Sequence, residues 1–457
     1  MGFCSISLVY ACILTCGSMS FGAIIAYGSA TLRIIKDTFG PLSTFYVGAF
    51  QAAPAFMAIF SPILWNFLMK RKSLKICTSM VGISGMIFWL LLLTMNKRYF
   101  WLSIIIRCLL GITLAGCSAI CPLYFSEIAP PERKGFYGVI HVIFIVMGHV
   151  VTNLLGVTHK WQPPIYTVSA FMLIFGTCVF IIPDNRSKQN DSKNEILNQD
   201  DQIELKNLNS NEIEKNNSNE DQNAPKPKNM SLFDKSILKH TIVSMSLLFL
   251  MQLCGIGSIM QNLAPLMSEV GLQIDAGYQA TIAICAQLVS AFFSSILIDK
   301  YGCKILWNVS SAGCALSLLM YGLNVKFNWS HWLPMIFLFL FQFFFGIGMG
   351  SVPWIVPSHV FPPELKSKAM SLGTSMTWLS ASIVMFLFPY LQKWFGQFGL
   401  MMILTGINVF SFLVGVFFVE DYRDRSDTKV TESKDDIKQA LINGDQSELD
   451  ENTNSNL

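Results

Sequence analysis

A chain of 457 residues that is 52% hydrophobic and only 13% charged, with a mean hydropathy of +0.48, belongs to the membrane class, since soluble domains carry about twice that charge. The net charge of +3 is small, and Lys and Arg sit in short loops between apolar runs, which excludes a nucleic-acid-binding face. Twelve cysteines, such as Cys12, Cys77, Cys121 and Cys285, lie mostly inside apolar runs, so no disulfide framework is expected.

The first residues, MGFCSIS, run almost at once into apolar sequence without a basic region or a small-residue cleavage site, so the first segment is expected to stay as an anchor. Ile6 stands where a myristoylation pattern needs Ser or Thr. Apolar stretches of roughly 17–25 residues, long enough to cross a bilayer, recur at approximately 6–29, 44–68, 76–95, 100–124, 136–157 and 165–183. They resume at approximately 240–262, 278–298, 305–324, 333–357, 370–391 and 399–419. The fold expected is therefore an all-α membrane protein of twelve transmembrane helices, with one bundle over residues 1–183 and another over 240–419. Residues 184–239, rich in Asn, Asp, Glu, Lys and Ser, cannot bury enough apolar surface to offset ordering entropy and read as a disordered linker; residues 420–457 read as a tail of the same kind.

Orientation follows from the short loops. Lys70, Arg71, Lys72, Lys75, Arg133, Lys134, Lys300, Lys304, Lys366 and Lys368 fall on one side, against Arg33, Lys36, Lys97, Arg98, Lys160, Lys326 and Lys393 on the other. The asymmetry favours cytoplasmic termini. Asn328, in the sequon Asn328-Trp329-Ser330, then lies outside as a possible glycosylation acceptor, although in a loop short enough to keep it close to the membrane.

The segment SEIAPPERKG, Ser126 to Gly135, returns 232 residues later as SHVFPPELKS, Ser358 to Ser367. Ser126/Ser358, Pro130/Pro362, Pro131/Pro363, Glu132/Glu364 and Lys134/Lys366 are identical, Ile128/Val360 nearly so, and Glu127/His359 differ. A polar Pro-Pro segment repeated at half the chain length marks two similar halves, as duplication gives in transporters.

No Asp or Glu lies deep within an apolar stretch: Asp37, Glu127, Asp184, Glu269, Asp275, Asp299 and Glu364 sit at ends or in loops. Proton-driven carriers need an ionisable group at membrane depth, so passive movement of a neutral solute is favoured. His141 and His149 in the fifth stretch weigh the other way, since histidine can carry a proton, although both also read as helix-packing hydrogen bonders. Arg107 is the one basic residue well inside an apolar run and must face protein or water. Gly346 to Pro357, GIGMGSVPWIVP, breaks the helical pattern with glycines and prolines, and such breaks are tolerated where they line a cavity. There Trp354 offers a flat face suited to a sugar ring, or else packs between helices. The seventh stretch, MQLCGIGSIMQNLAP, concentrates Gln252, Gln261 and Asn262, amides that can bond a polyhydroxylated solute or one another.

Together these residues resemble the sugar porters of the major facilitator superfamily, nearest to the insect-type facilitated trehalose transporters. Arg107 and Gly111, then Pro122, Tyr124, Glu127, Pro130 and Gly135, match the RxxxG and PxYxxExxP patterns; Asp299, Gly302 and Lys304 match DRxGR; Gly350, Pro353 and Trp354 match GPxPW. The resemblance implies two pseudo-symmetric six-helix bundles, with the solute bound between them and exposed to each side in turn. It places Gln252, Trp354 and Trp378 at sugar-binding or flanking positions. It also implies a cytoplasmic gate involving Glu127, Lys134, His359, Lys366, Arg107, Lys70, Arg71, Asp299 and Lys304, in which Glu127 pairs with Lys366 across the bundles and Lys134 with position 359. His359 stands there instead of glutamate, so one of the two pairs is missing or reversed.

Departures are numerous. Met251 replaces the first glutamine of QQLSGIN, Gly257 its asparagine, and Thr377 the asparagine before Trp378. Asn66 and Met69 replace the usual Asp and Gly of the loop that keeps Lys70 and Arg71, and IPDNRSK and VEDYRDRS are traces of PESPR and PETKGRS. The resemblance implies facilitative transport of a neutral sugar, trehalose or a hexose, in the plasma membrane, with lipid as the other partner and no enzyme activity, cofactor, metal or nucleic acid. The worn motifs, the linker and the tail keep open a sugar-sensing or transport-poor paralogue.

Overall fold

The computed structural model describes residues 2–129, 134–182, 232, 234–268 and 274–419. In the first half the helices are α1 (Gly2–Phe39), α2 (Thr44–Ala58), α3 (Ser61–Arg71), α4 (Leu74–Leu91), α5 (Phe100–Ile128), α6 (Lys134–Gly156) and α7 (Pro163–Cys178). In the second half they are α8 (Lys235–Leu253), α9 (Ile256–Gln261), α10 (Leu263–Ser268), α11 (Ala276–Phe327), α12 (Leu333–Ile347), α13 (Val352–Val360) and α14 (Pro363–Phe418). Starts follow local chemistry: Ser43 and Ser73 accept the amides of Tyr46 and Ile76, and Asp275 accepts that of Gly277.

Ten helical stretches are long and apolar enough to cross a membrane, and Ile140–Gly156 is a shorter apolar helix. One of the ten, Lys368–Phe418, would reach about 75 Å if straight, more than twice the hydrocarbon thickness. Left-handed Gly396 (φ 66°) divides it in two, whereas the two parts of α11, divided at Gly302 (φ 78°), are already separate among the ten; with Ile140–Gly156 the described residues account for the twelve crossings expected.

Buried apolar side chains form two main clusters. One is drawn almost wholly from residues 11–182 and the other almost wholly from 243–419. Helices inside each cluster approach closely where glycine allows: a Cβ on Gly82 of α4 would lie 2.3 Å from Gly176 Cα of α7. The outer surface carries large apolar side chains such as Phe292, Phe417 and Ile63, as a surface facing lipid requires.

The expected linker and tail lie outside the described residues, except for Leu232 and residues 234–239. Those depart from the expected boundary. Helix α8 begins at Lys235, and Leu232 and Ile237 pack with Phe361, Leu365 and Ala369, while Thr241 Oγ1 donates to Leu232 O (2.9 Å). Apolar burial thus extends the second bundle several residues into the polar segment.

Candidate functional site

Two crossings of the second half are interrupted. Helix α8 stops at Leu253 because Gly255 is left-handed (φ 96°), where any side chain would be strained and would meet Leu404 at 2.9 Å. Helix α12 ends at Ile347, and Gly348–Ser351 turn before α13 begins. A Cβ on Gly348 would lie 2.2 Å from Leu306 O, so this turn packs against the α11 backbone.

Both breaks border a cavity of about 560 Å³ between the two halves, within the size range of ligand sites. Its polar groups come from both halves: His141 and His149 of α6, Gln252 at the end of α8, Gln287 of α11, and Thr374 and Thr377 of α14. Its aromatic wall comprises Phe21, Phe345, Trp354 and Trp378, and the Phe21 and Trp378 rings meet across the halves at 6.1 Å and 59°. His141 Nδ1 lies 2.8 Å from Ser18 Oγ. His149 Nδ1 lies 3.1 Å from Ile145 O and must be the donor there, because a carbonyl only accepts.

The cavity is directed toward one end of the molecule. Pro122, His141, Trp354 and Met370 line it, each within about two helical turns of the repeated segments 126–135 and 358–367. The opposite end is tied shut by hydrogen bonds between the halves. Gln51 Nε2 donates to Asn262 Oδ1 (2.7 Å), Asn262 Nδ2 donates back to Gln51 Oε1 (3.4 Å), and Gln261 Nε2 donates to Gln51 O (3.0 Å). Ala264 N donates to Ser29 Oγ (3.0 Å), and at the rim His159 Nε2 lies 3.7 Å from Asp275 Oδ2. Along one flank, Ser375 Oγ donates to Ile59 O (2.9 Å) and Asn66 Nδ2 to Ser371 Oγ (3.2 Å).

The structure therefore separates the expected binding residues. Gln252, Trp354 and Trp378 line one cavity. Gln261 and Asn262 are buried in the closure opposite and are not among its lining residues, because the break after α8 and the turn at Asn262 carry them toward α2. Gln51, which completes that closure, was not anticipated, although one glutamine within AFQAAPAF was a signal for it.

Arg107 does not join the gate. It lies near the start of α5, about 28 Å of helix from Ser126. There it is fully buried, with Nε donating to Phe50 O (3.3 Å) and Nη1 to Ile24 O (2.9 Å), and its guanidinium lies 4.9 Å from the Phe50 ring centre and 5.6 Å from that of Tyr27. Two carbonyls and two ring faces hold the charge. Lys70 and Arg71 are exposed at the end of α3, with Arg71 stacked on Phe67 at 4.2 Å. Lys366 is exposed, while Glu127 and Lys304 are half-buried. The side chains of Lys134, His359 and Asp299 lie outside the described residues, and with them the expected Lys134 to 359 pairing. Asn328 is exposed in a left-handed conformation (φ 50°) directly after α11. Among the described residues the cysteines are free thiols.

The family model described as "Sugar (and other) transporter" matches residues 10–432. The chain belongs to this family. Facilitated trehalose transporter Tret1 of Anopheles gambiae is 23% identical over 338 residues, covering 70% of this chain and 42% of the relative, so the chain spans about two fifths of that protein's length. Sugar transporter ERD6-like 16 of Arabidopsis thaliana is 25% identical over 413 residues, covering 84% of this chain and 81% of the relative. Among solved structures, a D-xylose-proton symporter superposes with a TM-score of 0.72 at 18% identity, covering 92% of this chain and 98% of the other. An inward-open form of the xylose transporter XylE from E. coli gives 0.72 at 20%, covering 92% and 97%. The fold is that of the major facilitator transporters, two six-helix bundles around a central cavity.

Proposed function

We propose that the protein is a uniporter that carries a neutral sugar, trehalose or a hexose, by alternating access. The observation that carries this reading is the central cavity, which places the amide of Gln252 beside the faces of Trp354 and Trp378 between two bundles that meet through the Gln51, Gln261 and Asn262 cluster at one end. Amides hydrogen-bond sugar hydroxyls in both senses, and indole faces cover the apolar faces of a sugar ring. Relatives named as trehalose and sugar transporters support the solute class.

Uniport is supported by the charges present. Among the described residues no Asp or Glu lines the cavity, the histidines that do, His141 and His149, are hydrogen-bonded to Ser18 and to Ile145 O as helix-packing groups, and Arg107 is bonded to carbonyls rather than to a carboxylate. The fold neighbours include a proton symporter, so fold alone does not decide coupling. With the loop charges setting cytoplasmic termini, the repeated segments face the cytoplasm, the cavity opens inward, and the Gln51, Gln261 and Asn262 closure seals the outside. Release of the inner pairs and breakage of the outer closure then alternate as the bundles rock. The site of action is the plasma membrane.

Reconstituted protein should equilibrate labelled glucose or trehalose down its gradient. Uptake that requires an imposed proton gradient would overturn the uniport assignment, and absence of flux for every labelled sugar would overturn the transport assignment.

A further inference from the structure

Few cavity groups remain free to bind hydroxyls. The hydroxyls of Ser118, Thr374 and Thr377 already donate to Ala115 O (2.9 Å), Met370 O (2.8 Å) and Gly373 O (2.9 Å) of their own helices, so they offer only lone pairs. His149 Nδ1 is spent on Ile145 O, and His141 Nδ1 on Ser18. The amides of Gln252 and Gln287, the indole N–H groups of Trp354 and Trp378 and, on α6, the Nε2 atoms of His141 and His149 are left, enough for the hydroxyls of about one sugar ring.

Methionine thioethers occupy much of the remaining wall. Met251, Met260, Met370 and Met385 all line the cavity, and thioether side chains adapt to irregular apolar shapes. One substitution is built into the packing. Gly257 stands where the sugar-porter pattern carries asparagine, and a Cβ there would lie 2.5 Å from the Met385 methyl, so that methyl fills the place of an amide. Met385 is held in position by Gln261, whose Nε2 reaches its Sδ at 3.1 Å. A second sugar ring in this part of the cavity would bury hydroxyls without partners, at about tenfold in affinity for each.

We propose that the solute is a glycoside, one sugar ring carrying an apolar substituent, with the ring at Gln252, Gln287, Trp354 and Trp378 and the substituent against the methionine wall. The proposal rests on the sugar-transport reading and narrows its solute: a hexose ring bearing an apolar group is preferred over a free hexose and over the two-ring trehalose. The cavity volume of about 560 Å³ accommodates both parts, and burying about 60 Å² of a substituent's apolar surface corresponds to roughly tenfold in affinity.

The test is binding to the purified full-length protein, followed by quenching of tryptophan fluorescence, with glucose, trehalose, phenyl α-glucoside, phenyl β-glucoside and phenol as probes. One phenyl glucoside is expected to bind at least about tenfold more tightly than glucose, trehalose or phenol. Glucose or trehalose binding as tightly as both phenyl glucosides would overturn the proposal and leave the sugar reading standing. Phenol binding as tightly as the glucosides, with no binding of free sugars, would overturn both. Two variants probe the wall separately: Met251→Gln, and the double change Gly257→Asn with Met385→Ala, which makes room for the amide. Either folded variant should reduce the phenyl glucoside to glucose affinity ratio at least about threefold; an unchanged ratio in both would overturn the assignment of the methionine wall to the substituent.

Discussion

Replacing Gln51 with leucine isolates the outer closure. The side chain is fully buried and exchanges two amide hydrogen bonds with Asn262, whereas the bond from Gln261 goes to the backbone carbonyl of residue 51 and survives the change. Asn262 Nδ2 also keeps its bond to Ser258 O (2.8 Å), but Oδ1 loses its partner. Side-chain hydrogen bonds inside membrane bundles contribute about 0.6–2 kcal/mol each, so the loss is about 1–3 kcal/mol. These bonds join the two bundles, so they act only while the outer end is shut, and the substitution destabilises this state alone. The population should shift about 5- to 150-fold toward the outward-open form. Leu266, buried beside Asn262 in the outer vestibule, reports the shift when replaced by cysteine and labelled with a membrane-impermeant maleimide on intact cells. Labelling should accelerate at least about fivefold in the Gln51→Leu background. Equal rates at equal surface expression would refute the closure.

Four further outcomes are expected. Gln252→Leu and Trp354→Ala should each weaken solute affinity about tenfold with surface expression unchanged, read by competition for uptake. A protonophore should alter initial uptake into proteoliposomes by less than about twofold, since among the described residues no carboxylate lines the cavity. Deleting residues 184–228 should leave uptake intact; loss of uptake would show that the segment takes part in the transport cycle. Arg107→Lys should lower thermal stability by about 1.5–3 kcal/mol in a detergent melt, because an ammonium cannot fork to both Phe50 O and Ile24 O.

Much of the architecture was legible because the bilayer imposes it. Backbone groups must be satisfied within each crossing, so apolar length alone marks a helix, and the helical pattern was read correctly even where Gly302 and Gly396 divide continuous runs. The start of the second bundle was harder to read, since Leu232 and Ile237 are isolated apolar residues in a polar segment and only their contact with Phe361 and Leu365 reveals that they are buried. Arg107 was legible as a buried charge but not by depth. Its position in the family pattern tied it to the gate, whereas counting residues from the start of α5 puts it near the other end.

The three amides of the seventh crossing show where sequence reasoning runs out. On an unbroken helix, Gln252 and Gln261 would be nine residues apart, two and a half turns, on opposite faces, and Asn262 would project beside neither. A shared lining was expected because three amides fall within one short, otherwise apolar segment. Left-handed Gly255 does reset the axis, but it turns Gln261 and Asn262 toward α1 and α2 rather than toward Gln252. A Cβ on Gly28 of α1 would lie 2.8 Å from Gln261 Oε1, so the first helix is itself shaped to receive this segment. The direction of such a turn depends on partners in the other half, Gly28 and Gln51, far away along the chain. Local sequence marks where a helix breaks; the surface that receives the displaced segment decides whether its polar groups serve a solute or a closure.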